Sequence, residues 1–318
     1  GPSKAEKALN YYNQANKYAS AGNNSLAIIY YAKALKYNPQ YVRAYYGRGT
    51  CKNNLGYYRS AIEDFNIALS LDPKHAYAYN NRGYSKNHTG DYKGAIEDTT
   101  ASLELDPQNS YAYSNRGIAK VNLHDYKGAI EDYDKSISLD ASNPRVYTNR
   151  GNAKESLGDY TGALEDHNKS LELNPRNAGA YNNRALVKDA LGDYEGALED
   201  YQKALNLSPH YAAAYNNRGY TKIHQHDFQG ALKDLDQALR LQPRFASAYK
   251  NRADAWVGLQ NLEAAVSDYT RAITLDPTYA EAYQARSEAY DKLNLMEKAE
   301  QDRREYKRLQ QNGTNQAL

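Results

Sequence analysis

The sequence predicts an all-α solenoid of about nine helix-turn-helix units, on three observations. The first is a 34-residue register: Tyr stands at 45, 79, 113, 147, 181, 215, 249 and 283, and Ala at 61, 95, 129, 163, 197, 231, 265 and 299. The second is a pair of apolar stripes in each copy. Tyr181, Arg184, Ala185 and Lys188 fall on one face of a 3.6-residue period, and Tyr194, Ala197, Leu198, Tyr201, Ala204 and Leu205 mark another. The third is punctuation, with Gly192-Asp193 between the stripes and Pro recurring at 39, 73, 107, 175, 209, 243 and 277. So strict a register suits a stack of like units, because each must meet its neighbour in the same way.

Taken in order, residues 1–7 are a lead-in whose Gly-Pro-Ser start resembles a protease-cleavage scar, residues 8–313 form one solenoid, and 314–318 are expected to be a frayed tail. Copy one keeps the Tyr, Ala and Pro positions, but Gln14 and Tyr30 replace the Arg and Asp of later copies. Copies two to eight fill 42–279. Within each, an Asp such as Asp193 is the predicted N-cap of the second helix. Ser208, Asp72, Asp106 and Asp276 are predicted to cap the next first helix, with the following Pro as its first residue. Copy four ends on Ala141, and Pro144 is placed in the first turn of the next helix. In copy nine, Glu300, Arg303, Tyr306 and Lys307 occupy positions that are mostly apolar or small elsewhere, which predicts a terminal cap with a polar outer face.

The period, with its series Tyr181, Ala185, Ala197, Tyr201, Ala204 and Pro209, resembles the tetratricopeptide repeat. Tyr181 stands for that family's Trp, Arg184 for its Leu, and Lys188 for its second Tyr. The resemblance implies a right-handed superhelix whose concave face is lined by the first helix of each unit. It also implies a protein or peptide partner.

Composition narrows the function. A net charge of +2 without a basic run argues against nucleic-acid binding, and no apolar run is long enough for membrane insertion. The single Cys51 excludes an internal disulfide framework and reads as a small helix-contact residue. No metal, cofactor or catalytic constellation is implied: the seven His share no slot with carboxylates, and no nucleophile–base pair or glycine-rich phosphate loop stands out. The chain is therefore expected not to be an enzyme. Its compartment stays open, with the cytoplasm preferred over a trimmed secretory precursor. Its oligomeric state is open as well, with the monomer preferred.

Two recurring sets are the candidate functional residues. Eight Arg/Asp pairs lie sixteen residues apart: Arg48/Asp64, Arg82/Asp98, Arg116/Asp132, Arg150/Asp166, Arg184/Asp200, Arg218/Asp234, Arg252/Asp268 and Arg286/Asp302. Copy one lacks both members together, so the pairs are read as internal salt bridges, with a ligand-facing Arg row as the alternative. The second set is an asparagine row, Asn81, Asn115, Asn149, Asn183, Asn217 and Asn251, two residues after each Tyr. Asn is a poor helix-interior residue, and its amide both donates and accepts, so the row is assigned to gripping a peptide main chain. The tetratricopeptide region of O-linked N-acetylglucosamine transferase is similar in carrying such a ladder. The alternative is that these Asn bridge neighbouring helices. A carboxylate clamp of the kind that captures chaperone tails is disfavoured, because no three successive copies assemble its basic residues. Tyr77, Tyr111 and Arg145 are expected to flank the groove toward the N-terminal half, and Asp254, Glu281 and Glu288 toward the other end. The leading function is a non-enzymatic scaffold holding an extended peptide. The rival is an assembly protein acting through self-association of its ends or convex surface.

Overall fold

The computed structural model describes residues 1–317 and divides into two compact units, Gly1–Asp159 and the part from Tyr160 onward. The first unit holds α1 (Lys4–Ser20), α2 (Asn24–Tyr37), α3 (Val42–Asn54), α4 (Tyr58–Leu71), α5 (Ala76–Thr89), α6 (Tyr92–Leu105), α7 (Ser110–Asn122), α8 (Tyr126–Leu139) and α9 (Pro144–Ser156). The second holds α10 (Tyr160–Leu173), α11 (Ala178–Ala190), α12 (Tyr194–Leu207), α13 (Ala212–His224), α14 (Phe228–Leu241), α15 (Ala246–Gly258), α16 (Leu262–Leu275), α17 (Ala280–Lys292) and α18 (Met296–Ala317). Within each unit the architecture is all-α, and helices consecutive in the chain pack as antiparallel-type neighbours joined by tight turns. First helices of adjacent repeats also touch directly, as α5 does with α7 and α13 with α15. The expected frayed tail at 314–318 concerns side chains outside the described residues.

The turn inside each repeat follows its residues. Gly192 has φ +84°, a left-handed conformation that glycine adopts without a Cβ penalty. The Gly192 N–H donates to the Asp189 carbonyl at 2.9 Å, and the Asp193 N–H to the Lys188 carbonyl at 2.8 Å. Asp193 then caps α12 by accepting the Gly196 N–H at 2.9 Å.

The turn between repeats differs from expectation. Asp72, Asp106, Ser208 and Asp276 close the preceding helix and do not cap the following one. Asp72 accepts the N–H of Lys74 at 3.1 Å, so its side chain folds the turn in which Pro73 sits. The next helix starts three residues later, where His75, Asn109, Asn143 and Asn177 are the side-chain caps. Proline has no N–H to donate and fixes φ near the value a turn needs, so it serves the turn itself. Pro144 does stand in the first turn of α9. Tyr45, Tyr147, Tyr181, Tyr215, Tyr249 and Tyr283 also pin this turn: the Tyr181 hydroxyl donates to the Pro175 carbonyl at 3.0 Å, and Tyr147 does the same to Ala141 at 3.1 Å. The turn without proline therefore keeps the same clasp.

The core is a column of small side chains with rings set between them. Ala61, Ala95, Ala129, Ala197, Ala231 and Ala265 are all fully buried. An added Cβ at Gly117 would stand 2.6 Å from the Tyr133 ring, and at Gly49 2.8 Å from Phe65. Glycine at those two positions admits a ring from the second helix. Cys51 is buried, and burial pushes its thiol up to about 11, which makes it an inert packing group.

Candidate functional site

Each Asp of the sixteen-residue pairs resolved within one unit is nearly solvent-free and is held by a bidentate guanidinium. Arg184 Nε donates to Asp200 Oδ2 at 2.8 Å and Nη2 to Oδ1 at 2.7 Å. Arg48, Arg82, Arg116, Arg218, Arg252 and Arg286 repeat this with Asp64, Asp98, Asp132, Asp234, Asp268 and Asp302. Arg150 belongs to the first unit and Asp166 to the second.

Two further contacts make the Arg a staple of three helices. From Arg82 onward its remaining nitrogen reaches back sixteen residues, as from Arg82 to Asn66 at 2.9 Å and from Arg252 to Asp236 at 3.1 Å; Arg48 faces Ala32 there. Its plane lies over the Tyr three residues earlier, 5.5 Å from the Tyr181 centroid for Arg184. Hydrogen bonding to Asp200 raises the Arg184 pKa further, so its charge is permanent.

The lysine one turn later, read in the sequence only as standing for the family's second Tyr, completes the network. Lys52, Lys86, Lys120, Lys188 and Lys222 each reach the paired Asp within 2.8–3.0 Å. The signal was its own 34-residue recurrence, which ends at Trp256 and Tyr290. Copy one substitutes packed rings for the missing pair: Tyr30 lies against Tyr11 and Tyr18, with the Lys33 ammonium 4.5 Å from its centroid.

Four members of the asparagine row, Asn81, Asn115, Asn217 and Asn251, sit where first helices of adjacent repeats meet. Asn115 Nδ2 donates to Asn80 Oδ1 at 2.9 Å, Asn217 to Asn182 at 3.1 Å, and Asn251 to Asn216 at 3.0 Å. Asn81 donates to the Thr50 and Tyr46 hydroxyls. The partner column lies one residue before the row, and its recurrence at Asn80, Asn182 and Asn216 was the overlooked signal. Each Asn–Asn bridge spends one N–H of the donating amide and leaves its second, whereas Asn81 uses its amide nitrogen twice and keeps only its carbonyl oxygen for another partner. Asn251 is only 7% exposed, so its place in a ligand-facing row is corrected: the neighbouring repeat covers it.

In the first unit, Asn81, Asn115 and Asn149 line a groove of about 680 Å³ together with Tyr77, Tyr111 and Arg145. Nine of its eighteen lining residues are Asn, four are Tyr, and none is Asp or Glu. Tyr77 and Tyr111 are 56% and 62% exposed. Burial and then the nearby Arg145 charge lower the pKa of His88, which stacks on Tyr58 at 4.2 Å beside the groove. In the second unit, Asp254, Glu281 and Glu288 line a smaller acidic pocket of about 380 Å³ with Lys250 and Tyr269. Lys250 pairs with Asp254 at 2.7 Å, and Tyr269 donates to the same carboxylate.

Among the described residues no cluster of His, Cys, Asp and Glu could hold a metal ion. No helix among the described residues is long and apolar enough to cross a membrane.

The comparisons agree with this architecture. No curated protein matches the chain. Among solved structures, a chain of the APC/C hetero-tetramer Cut9-Hcn1 is similar over 87% of this chain, with TM-score 0.66 and 18% identity; the match spans 54% of that chain. A tetratricopeptide repeat protein from Parabacteroides merdae matches 78% of this chain and 98% of its own, with TM-score 0.59 and 21% identity. YrrB, a TPR protein with an unusual peptide-binding site, matches 59% of this chain and 96% of its own, with TM-score 0.50 and 24% identity. One tetratricopeptide repeat model matches residues 12–51, 54–110 and 216–280, and related ones match 121–158 with 190–223, 144–177 and 168–199. With helix pairs in a 34-residue register and family models matching along most of their length, the chain belongs to the tetratricopeptide repeat family.

Proposed function

We propose that the chain is a protein-interaction scaffold that holds an extended peptide segment in the groove of its first unit. The observation that carries this reading is the composition of that groove, nine Asn and four Tyr on helices α3, α5, α7 and α9 and the turns before them. Such a wall offers hydrogen bonds and ring faces, which suits a peptide main chain more than a small apolar ligand. Asn115 contributes its second amide N–H, Asn81 and Asn149 their side-chain amide oxygens, Tyr77 and Tyr111 their exposed rings, and Arg145 a charge. Asn183 and Asn217 offer the same amides in the second unit. YrrB, which shares the fold, carries a peptide-binding site, and the reading agrees with that likeness.

The test is selection of twelve-residue peptides from a random displayed library on the full chain, then retention on Tyr111→Ala/Asn149→Ala and on a change at exposed Glu131 of the second helix α8, Glu131→Ala. Loss on the groove variant and retention on the outer-face variant is expected. Equal retention on both would remove the groove from the account.

A further inference from the structure

The groove of the first unit repeats along its length, and a ligand that meets each repeat alike must share that period. Adjacent first helices α5 and α7 are in direct contact, bridged by Asn115 to Asn80 and by Asn87 Nδ2 to the Asn115 carbonyl, both at 2.9 Å. Helices so packed have axes about 8–10 Å apart. A β-extended peptide covers that distance in about three residues, but its side chains alternate with period two. Every third residue of such a strand points the opposite way from the last. A polyproline II helix has three residues per turn and a rise of about 3.1 Å, so about 9.3 Å separates residues on one identical face. Only the second geometry presents the same side to Tyr77 and to Tyr111, which are 34 residues apart in the same slot.

Hydrogen-bonding complementarity points the same way. Proline has no N–H, so a proline-rich segment offers carbonyl acceptors and few donors. A carboxylate wall, which can only accept, would repel it, and none of the groove's eighteen lining residues is a carboxylate. The hydroxyls of Tyr77 and Tyr111 have no protein partner among the described residues and are free to donate. Arg145 adds further donors at the rim and forms no ion pair among the described residues. Exposed tyrosine rings also supply the flat faces on which pyrrolidine rings pack.

We infer that the first unit's groove selects a proline-rich segment in the polyproline II conformation, with successive turns seated on Tyr77 and Tyr111. This rests on the peptide-groove reading and narrows it to one ligand conformation. The experiment is fluorescence anisotropy of the full chain with three labelled, acetylated and amidated twelve-residue probes: dodecaproline, an alternating Gly/Ser peptide and an alternating Thr/Gln peptide. Dodecaproline is expected to bind at least tenfold more tightly than either other probe. Tyr77→Ala/Tyr111→Ala should weaken it at least tenfold with an unchanged circular dichroism spectrum, and Tyr77→Phe/Tyr111→Phe should weaken it less. Thr/Gln binding as tight as dodecaproline, and lost on Asn115→Ala/Asn149→Ala, would overturn the inference while sparing the peptide groove. Failure of all three probes and of the library selection would sink both.

Discussion

Replacing Arg184 by Ala strips Asp200 of two charge-assisted hydrogen bonds of 2.7 and 2.8 Å while leaving the carboxylate 0% exposed. Breaking a buried ion pair from one side costs about 3–5 kcal/mol when the remaining charge is left alone. Asp200 is not left alone, because the Lys188 ammonium stays 3.0 Å away. Half of the salt network therefore survives, and the loss should fall to about 2–4 kcal/mol, each charged hydrogen bond contributing about 1.5–3 kcal/mol. The eighth copy provides the control. Trp256 occupies the lysine slot there, so Asp268 would retain only Arg271, whose side chain is 56% exposed. Arg252→Ala should thus destabilise by about 1 kcal/mol more than Arg184→Ala, the worth of one well-placed charged partner. Urea unfolding followed by far-ultraviolet circular dichroism reads both. The comparison is best made on midpoints, since repeat proteins can depart from two-state behaviour. A loss under about 1 kcal/mol for Arg184→Ala, or equal losses for the two variants, would refute the assignment of the row as a buried, lysine-assisted staple.

Three further outcomes follow from single features. Asn87 Oδ1 is buried without a hydrogen-bond partner, whereas Asn53 in the same slot accepts the Ser85 hydroxyl at 2.6 Å. Ala119→Ser supplies the missing hydroxyl and should raise stability by about 1 kcal/mol, read as a higher melting temperature; a destabilised variant would contradict the orphan. His167 is 0% exposed with both ring nitrogens unpartnered, and burial depresses its pKa to about 4. A depressed histidine pKa means that the unfolded chain binds the proton first. Stability should therefore fall as pH drops from about 6.5 toward about 4. His167→Phe, matching Phe65 in that slot, should flatten that profile, and an unchanged profile would show that another group sets it. Truncation before Met296 removes Asp302 from Arg286 and uncovers the side of α17 that packs on α18, so aggregation or a lower melting temperature is expected; unchanged melting would show that α18 is not a cap.

Helix existence and register were legible because each repeat restates the same apolar stripes, and the Gly192-Asp193 turn announced itself through a helix-breaking glycine followed by an N-cap Asp. The inter-repeat turn was misread for a physical reason. Asp72-Pro73 fits equally a cap with a proline at the first helical position and an Asx-type turn that ends a helix, and only the later start of α5 decides between them. The Arg/Asp row could be read because two columns vanish together in copy one. Lys188 was passed over because it was weighed as a replacement for a family Tyr and not for its reach to Asp200. The asparagine row was legible as a column, with bridging of neighbouring helices only as the alternative to peptide binding. Its partners, Asn80, Asn182 and Asn216, lie on the preceding repeat, 35 residues away, and local helical geometry does not reveal them. Burial of Asn251 has the same origin, since a neighbouring repeat covers it.

The central claim is that a peptide lies against the first helices of the first unit. A library-selected peptide carrying a benzophenone group, photolysed on the full chain and mapped by mass spectrometry, tests it directly. Adducts on α5, α7 and α9, at residues such as Tyr77, Tyr111 and Arg145, are the predicted result. Adducts confined to the second helices α6 and α8, at residues such as Glu97 and Glu131, would contradict it.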